Sequence, residues 1–289
     1  MKYFKKNLLN ILILSLFSFT FIVGRFLYIN DHHGEVLKVV FLDVGQGDSI
    51  FIEAPNGKQM LIDGGPDASV LARLSSVMPF GDRSIDLILI THADMDHIGG
   101  LYPVLENYKV GRIIENGLKG ETNAYKNLES KIIENKIERI IAHRGMNILL
   151  DEDKNIYFNI LFPDRDVSLL ESNDGSIVGK LIYGDNSFMM MGDASTYTEN
   201  LIKWNESKEF LHSQILKLGH HGSHTSNNIV WLEAVNPDIA IISVGEDNRY
   251  GHPHKDILDK LDSLNIPYLF TYEKGNILFE VNEKDIIQK

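Results

Sequence analysis

Four side chains of types that commonly bind metal ions lie within one six-residue stretch of this 289-residue chain. They are His92, Asp94, Asp96 and His97. An apolar run over residues 85–90, interrupted only by Asp86, precedes them and predicts a buried central strand. The pair Gly99-Gly100 follows and indicates a tight turn into a helix. Imidazoles and carboxylates on one turn at the end of a rigid strand can converge on one or two cations.

Further candidate ligands come directly after other predicted strands. They are Asp63, Asp193, His220 and His221. The preceding strands are predicted over residues 59–62, 187–191 and 215–218. Because cysteine is absent, any metal ion must be held by nitrogen and oxygen. These groups supply enough such donors for two cations, and a carboxylate such as Asp193 would hold the cations at the short separation that two-metal hydrolysis needs.

Strands and helices alternate from residue 37 to the end of the chain. A helix is predicted over residues 68–77, and a hairpin over residues 177–191. No linker or low-complexity segment interrupts this pattern. Residues 37–289 are therefore predicted to form one α/β domain, in which sheets pack face to face with helices outside.

The order of the motifs resembles that of the metallo-β-lactamase superfamily. Asp-Gly-Gly at residues 63–65 is followed by His-x-Asp-x-Asp-His, by Gly-Asp and by Gly-His-His-Gly-Ser. More closely, the chain is similar to the hydrolase domain of ComEC-type DNA-uptake (competence) proteins. The segments that carry this similarity are Phe41-Leu42-Asp43-Val44-Gly45-Gln46-Gly47-Asp48-Ser49, Asn173-Asp174-Gly175-Ser176, Met191-Gly192-Asp193, Leu218-Gly219-His220-His221-Gly222-Ser223 and Tyr250-Gly251-His252-Pro253-His254. The resemblance covers nearly all of residues 37–281 and implies a four-layer αββα sandwich with its site along one edge.

The resemblance also implies a role for each ligand. The implied ligands are His92 and Asp94 for one metal ion, Asp96, His97 and His220 for the second, and Asp193 as the bridge. The choice between His220 and His221 is open; we prefer His220 and expect a supporting role for His221. Asp63 is also expected to support the site rather than bind a metal ion directly.

Two positions depart from the common superfamily pattern. The position of Asp94 is usually histidine, and so is the third ligand of the first site, where this chain offers Asn173. Both departures also occur in ComEC-type domains. They make the first site richer in oxygen, which shifts the preference of a two-cation centre from Zn²⁺ toward Mn²⁺ without excluding zinc. β-Lactam hydrolysis is disfavoured for the same reason.

The implied chemistry is metal-assisted hydrolysis of phosphodiesters. Asp96 is expected to orient the attacking water, and His252 or His254 to supply a proton to the leaving group. Ser223 and His224 are expected to contact a phosphate oxygen.

Several of these residues also have an ordinary structural explanation. Asp193 alone would serve as a helix N-cap, and Asn173 alone would be a turn residue. The segment 252–254 is equally consistent with the start of a helix. The ordered set of motifs favours ligation for Asp193 and leaves the other two alternatives open.

The charge of the chain limits its partners. The net charge is −12, and no basic groove for long DNA is apparent. A DNA nuclease is the leading hypothesis, and a hydrolase of a small phosphodiester or an envelope phospho-polymer is an alternative. A binding module of a DNA-uptake or envelope complex, with a weakly catalytic or inactive site, is a second alternative. No protein partner is predicted.

The first 36 residues form a separate segment. Lys2, Lys5 and Lys6 precede an apolar stretch over residues 8–23. This pattern resembles a secretory signal or a signal anchor. No small-x-small cleavage site is evident, so an uncleaved membrane anchor is favoured over a cleaved signal. The basic flank predicts that the rest of the chain lies on the extracellular face of the membrane, or is secreted if the signal is cleaved.

Overall fold

The structure, a computed structural model, describes residues 11, 13–21, 23–24 and 36–289. The predicted signal or anchor over residues 1–36 therefore lies largely outside the described residues. Those of its residues between 11 and 24 that are described are helical. Within the described part of the chain, no helix is both long enough and apolar enough to cross a membrane.

The strands of the described residues form two sheets. In chain order the strands are β1 (Leu37–Phe41), β2 (Ile50–Glu53), β3 (Gln59–Ile62), β4 (Ser84–Ile90), β5 (Lys109–Glu115), β6 (Glu138–Ile141), β7 (Asn147–Asp151), β8 (Ile156–Phe162), β9 (Val178–Tyr183), β10 (Asn186–Met190), β11 (Ile215–Lys217), β12 (Ile239–Ile242), β13 (Tyr268–Phe270), β14 (Ile277–Val281) and β15 (Ile286–Gln288). The first sheet has the order β15-β14-β1-β2-β3-β4-β5-β6, and the second has the order β13-β12-β11-β10-β9-β8-β7.

Helices connect the strands of both sheets. From residue 36 onward they are α1 (Ser69–Val77), α2 (Met95–Ile98), α3 (Leu101–Asn107), α4 (Asn123–Glu134), α5 (Thr196–Asn205), α6 (Lys208–Leu211), α7 (Ile229–Val235), α8 (Lys255–Ser263) and α9 (Thr271–Lys274). Short 3-10 turns lie at Asn173–Gly175 and Gly219–Gly222. The helix predicted over residues 68–77 is confirmed as α1.

Three apolar layers hold the sheets and helices together. Between the two sheets, the ring of Phe279 packs edge-on against Phe41 and Phe188, with centroids 6.1 and 5.8 Å away. Trp231 of α7 is fully buried in the layer between the second sheet and its helices, and Leu128 of α4 is buried in the layer between the first sheet and its helices. Burial of each such side chain stabilises the fold by about 1.5–3 kcal/mol. The predicted four-layer αββα sandwich is confirmed.

The direction of the central strands determines where the loops meet. Strands β3 to β6 are parallel neighbours in the first sheet. Strands β10 to β13 are parallel neighbours in the second. The carboxyl ends of parallel strands lie at the same edge of a sheet, and side chains on the loops that follow can converge there.

Candidate metal centre

The candidate ligands lie in loops at the carboxyl ends of these parallel strands. Asp63 follows β3, the His92 to His97 segment follows β4, Asp193 follows β10, and the two histidines of the Gly219–Gly222 turn follow β11. Ligand atoms from both sheets therefore meet at one edge of the sandwich. Four sets of three side chains have ligand atoms within 4.8 Å of one another: His92, His97 and Asp193; Asp96, His97 and His221; Asp48, Asp63 and His97; and Asp48, Asp193 and His221.

Asp63 holds the loop that follows β4. Its Oδ1 accepts a hydrogen bond from the Thr91 backbone N–H (2.8 Å), and its Oδ2 accepts one from the Thr91 hydroxyl (2.6 Å). The same Oδ2 lies 2.7 Å from Nδ1 of His97. A carboxylate on Nδ1 orients the ring and leaves Nε2 as the donor atom, as is usual for metal-binding histidines. This geometry fits the supporting role expected of Asp63.

The Gly219–Gly222 turn holds both of its histidines in left-handed backbone conformations. The angle φ is +49° at His220 and +52° at His221, a region that costs a non-glycine residue on the order of 1–3 kcal/mol. The Asn227 side chain secures the turn, because its Oδ1 accepts from the Gly219 N–H (2.9 Å) and its Nδ2 donates to the Gly219 carbonyl (2.8 Å). Nδ1 of His221 lies 2.8 Å from the Ser243 carbonyl, which orients the imidazole ring.

Buried donor atoms converge without hydrogen-bond partners. His97 Nε2 lies 3.3 Å from Oδ1 of Asp193, and His92 Nε2 lies 4.0 Å from Oδ2 of the same carboxylate. His221 Nε2 lies 3.5 Å from Asp193 Oδ2 and 3.4 Å from Asp96 Oδ2. Within the described residues, the three Nε2 atoms and Asp193 Oδ1 are buried and make no hydrogen bond of good geometry. Buried polar atoms are normally satisfied, so this donor set fits bound cations.

The two histidines of the turn differ in their relation to this cluster. His221 is almost fully buried and belongs to two of the four converging sets, whereas His220 belongs to none of them. His220 Nε2 lies 3.8 Å from Asp193 Oδ2, and its ring is also close to Asn173, whose Nδ2 lies 3.2 Å from His220 Nδ1. The geometry thus favours His221 over His220 as the ligand.

Asp94 lies beside His92, at the first predicted site, and Asn173 lies beside His220. Asp94 Oδ2 is 3.7 Å from His92 Nε2, and Asp94 Oδ1 accepts a hydrogen bond of 2.7 Å from the Ser172 hydroxyl. About half of the Asp94 side chain is exposed. Oδ1 of Asn173 is buried and has no hydrogen-bond partner among the described residues. Asp94 thus offers oxygen to a cation beside His92, and Asn173 offers an unpaired buried oxygen close to His220.

The remaining candidates line the rim of the centre. The His252 ring lies 5.2 Å from that of His220 and 4.9 Å from that of His254. Nδ1 of His224 is 3.1 Å from Nδ1 of His254. Ser223 is buried, and its hydroxyl pairs with the Thr225 hydroxyl at 3.1 Å. His224 is therefore exposed on this rim, His252 and His254 are half-buried, and Ser223 is directed into the loop.

Burial and neighbouring charges shift the pKa values of the ligands in opposite directions. Burial lowers the pKa of His92 to about 4, and repulsion from His97 acts in the same direction. Burial would also lower the pKa of His97, but the charges of Asp193 and Asp63 outweigh it and raise that pKa. The carboxyl pKa of Asp193 is lowered, because attraction by His221 and His97 outweighs the opposing effect of burial. The centre therefore holds its carboxylates ionised, which is the form that binds cations.

An ion pair that sequence reasoning missed lies behind the ligands. Lys217 Nζ contacts Asp48 Oδ2, and both side chains are buried. The same ammonium donates to the Gly192 carbonyl at 3.0 Å and lies 3.9 Å from Asp193 Oδ1. Asp48 is part of the Gly45-Gln46-Gly47-Asp48 motif, but the sequence gives that motif no role. A lysine within the apolar strand β11 was the available signal, since buried charges need a partner.

The fold and the converging ligands define a metallo-β-lactamase domain. A sequence model of the Metallo-beta-lactamase superfamily matches residues 42–246, and the chain belongs to this superfamily. It is 30% identical over 266 residues to ComE operon protein 3 of Bacillus subtilis (strain 168), which covers 86% of this chain and 33% of that protein. It is 28% identical over 246 residues to competence protein ComA of Neisseria gonorrhoeae, with coverage of 83% and 32%. The predicted similarity to competence proteins is confirmed, and the chain spans about a third of the length of these relatives.

Solved structures show the same fold. The metallo-beta-lactamase fold protein YhfI from Bacillus subtilis superposes with a TM-score of 0.53 at 11% identity, over 81% of this chain and 95% of that one. Igni18, a metallo hydrolase from Ignicoccus hospitalis KIN4/I, superposes with a TM-score of 0.51 at 13% identity, over 88% and 98% of the two chains. At these identities the likeness concerns the fold alone.

Proposed function

We propose that this domain is a dinuclear metal-dependent phosphodiesterase, with DNA as the leading substrate. The observation that carries the proposal is the convergence of unpaired buried donor atoms, namely Nε2 of His92, His97 and His221, around the Asp193 carboxylate. Such a set of imidazole nitrogens and carboxylate oxygens suits Zn²⁺ or Mn²⁺.

The chain offers ligands for two cations. One cation would be held by His92, Asp94 and Asn173, and the second by Asp96, His97 and His221, with Asp193 between them. This assignment keeps every predicted ligand except His220, which the geometry places beside Asn173. Two bound cations supply Lewis acidity to the phosphoryl group and to the attacking water.

The side chains of the domain would position the reaction around these cations. Asp96 Oδ2, 3.4 Å from His221 Nε2, is the more exposed carboxylate of the second site and would orient the attacking water. His254 on the rim is the candidate proton donor for the leaving group. Burial and the neighbouring histidines lower the pKa of His252, the other predicted donor, to about 4, so its ring is neutral near pH 7. His224, paired with His254, is an exposed group that would contact a phosphate oxygen.

Two features bear on the choice of substrate. Similarity to the competence proteins supports DNA. The net charge of −12 disfavours a long electrostatic contact with a polyanion, so hydrolysis of a small phosphodiester or an envelope phospho-polymer is the second candidate. A binding module without catalysis is the non-enzymatic candidate.

The test is metal content and hydrolysis by the purified full chain. We expect two equivalents of Mn²⁺ or Zn²⁺ on elemental analysis and metal-dependent hydrolysis of bis-p-nitrophenyl phosphate. Asp96→Ala should abolish the hydrolysis with the fold retained, whereas Asp67→Asn, which alters an exposed carboxylate of a neighbouring loop, should not. A chain that binds no divalent metal and cleaves neither this substrate nor oligonucleotides would favour the binding module.

We also propose that the N-terminal segment anchors the domain at the extracellular face of the membrane. The three lysines before the apolar stretch support this orientation. Protease added to intact cells should degrade the domain, and alkaline carbonate should leave it in the membrane fraction. Recovery of the domain from the medium with its N-terminus beyond Ile29 would contradict an uncleaved anchor.

A further inference from the structure

A groove of about 540 Å³ opens beside the metal centre at Asp94. We propose that it binds the nucleotide next to the scissile phosphodiester, with the Lys119 ammonium on the adjoining phosphate. This inference rests on the proposed phosphodiesterase function and adds to it a substrate subsite on one side of the scissile phosphodiester.

Asp94 connects the groove to the centre. One of its carboxylate oxygens lies 3.7 Å from His92 Nε2, and the other accepts a hydrogen bond from Ser172, which lines the groove. A phosphodiester at the cations therefore has one neighbour directed into the groove. The volume lies within the range of about 300–1,000 Å³ that small-molecule ligands occupy, so it admits a nucleotide unit.

The walls of the groove are fixed to each other. Residues 117–122 form one wall, and residues 168–172 contribute to the other. The buried side chain of Asn116 joins them, because its Nδ2 donates to the Gly175 carbonyl (2.9 Å) and its Oδ1 accepts from the Leu118 N–H (3.0 Å). The first wall ends at Thr122, whose hydroxyl caps α4 through the Tyr125 N–H. A groove with such walls is formed before the ligand arrives, which reduces the cost of ordering on binding.

The lining suits a sugar and base followed by a phosphate. Leu118 and Leu170 provide apolar surface, and Lys119 makes no ion pair within the described part of the chain. Glu121 stands in the same wall and opposes the anion. The lining contains no Arg, Asn or Gln, the side chains that read base edges in pairs. We therefore expect binding through the backbone of the strand with little base preference.

Lys119 and Glu121 carry opposite charges in the same wall, so their substitutions should change the affinity for DNA in opposite directions. Fluorescence anisotropy would measure binding of a labelled oligothymidylate to the full chain in the Asp96→Asn background, which separates binding from cleavage. Lys119→Gln should weaken binding by roughly 3-fold to 10-fold and reduce the slope of log affinity against log salt by about 0.7, the value for one single-strand phosphate contact. Glu121→Gln should strengthen binding.

Lys109→Gln is the matched control. Lys109 begins β5, whereas Lys119 lies beyond its end, so the two exposed lysines are separated by about 20 Å of strand. The control should change neither affinity nor slope. In the chain that retains Asp96, and so is expected to be active, Lys119→Gln should also lower kcat/KM for oligonucleotides of two or more phosphates relative to kcat/KM for bis-p-nitrophenyl phosphate.

The outcomes distinguish the subsite from the catalytic proposal. If Lys119→Gln, Glu121→Gln and Lys109→Gln affect binding alike, the subsite is wrong, whether or not the domain hydrolyses phosphodiesters. If binding depends on Lys119 and Glu121 as stated but no metal-dependent hydrolysis occurs, the subsite stands and the phosphodiesterase proposal fails. Equal effects of Lys119→Gln on long and short substrates would also overturn the subsite.

Discussion

Oδ2 of Asp63 lies 2.7 Å from Nδ1 of His97, and neither side chain is accessible to solvent. The same carboxylate accepts two hydrogen bonds from Thr91, which precedes the ligand segment. One aspartate thus orients a ligand ring and holds the start of the loop that carries the other ligands. Its φ of +57° places Asp63 in the left-handed region, where strain persists only when the surroundings hold the residue firmly.

Asp63→Asn should weaken metal binding. The amide retains the size of the carboxylate but removes the charge that favours His97 Nδ1–H, and its NH₂ group opposes one of the Thr91 donors. Loss of such a partner typically reduces metal affinity about 10-fold to 100-fold. Calorimetric titration of the metal-free full chain with Mn²⁺ and Zn²⁺ would measure it, with Asp67→Asn as control. Equal affinities of the two variants would contradict the supporting role.

Replacement of each histidine of the Gly219–Gly222 turn should distinguish the ligand from its neighbour. His221→Ala should remove about one of two bound metal equivalents, because the His221 Nε2 atom meets both Asp96 and Asp193. His220→Ala should leave the stoichiometry at two, since His220 belongs to none of the converging sets. Elemental analysis after dialysis would show the difference. Loss of a metal equivalent in His220→Ala alone would restore the original preference for His220.

The sequence predicted the elements that have a simple pattern. The apolar run over residues 85–90 is confirmed as most of β4, and the helix predicted over 68–77 is confirmed as α1 (Ser69–Val77). Strand β5 was not predicted, because Lys109 and Arg112 interrupt its apolar pattern while its partners in the sheet stabilise it. Local periodicity also contains no information that β14 pairs with β1, a contact between the two ends of the domain.

The site was predictable to a similar degree. Ligands from the His-x-Asp-x-Asp-His motif were recognisable because their spacing is local. The contact between Lys217 and Asp48 joins residues far apart in the chain, and so does the hydrogen bond from Asn116 to the Gly175 carbonyl. The choice between His220 and His221 depends on backbone torsions of the turn, which adjacent residues of the same type cannot reveal.

Lys217→Met should destabilise the fold. It leaves the Asp48 carboxylate buried without its cation, and removal of one member of a buried pair typically costs about 3–5 kcal/mol. Urea unfolding of the metal-free chain would measure the loss. The double variant Lys217→Met/Asp48→Asn should lose less free energy of unfolding than the sum of the losses in the two single variants.

Lys180 provides the control for this double-mutant comparison. It is a buried lysine on β9 that donates to the carbonyls of Phe210 and His212 at 2.6 Å and has no carboxylate partner within the described residues. Lys180→Met and Asp48→Asn should therefore be additive within about 0.5 kcal/mol. Additivity in both double variants would show that Lys217 and Asp48 do not interact energetically.

Glu199 should make the stability of the fold depend on pH. Its carboxyl group is buried beneath the N-terminus of α7 and accepts hydrogen bonds from the N–H groups of Asn227 and Asn228. Burial raises the pKa of Glu199 from 4.5 to about 7, although these hydrogen bonds act in the opposite direction. The folded state thus binds the proton more tightly than the unfolded state. The contribution of the protonated Glu199 to the free energy of unfolding is complete below pH 4.5 and is lost as the pH rises through about 7.

Glu199→Gln should remove this dependence. The amide cannot ionise, so the stability of the variant relative to the parent chain should improve by roughly 2–4 kcal/mol between pH 4.5 and pH 8. Urea unfolding across that range would measure the difference, with Glu233→Gln, an exposed residue on α7, as control. Because Asn227 also holds the Gly219–Gly222 turn, metal affinity should be recorded at the same pH values. A difference in stability that is constant with pH would show that Glu199 ionises in the folded state as it does in water.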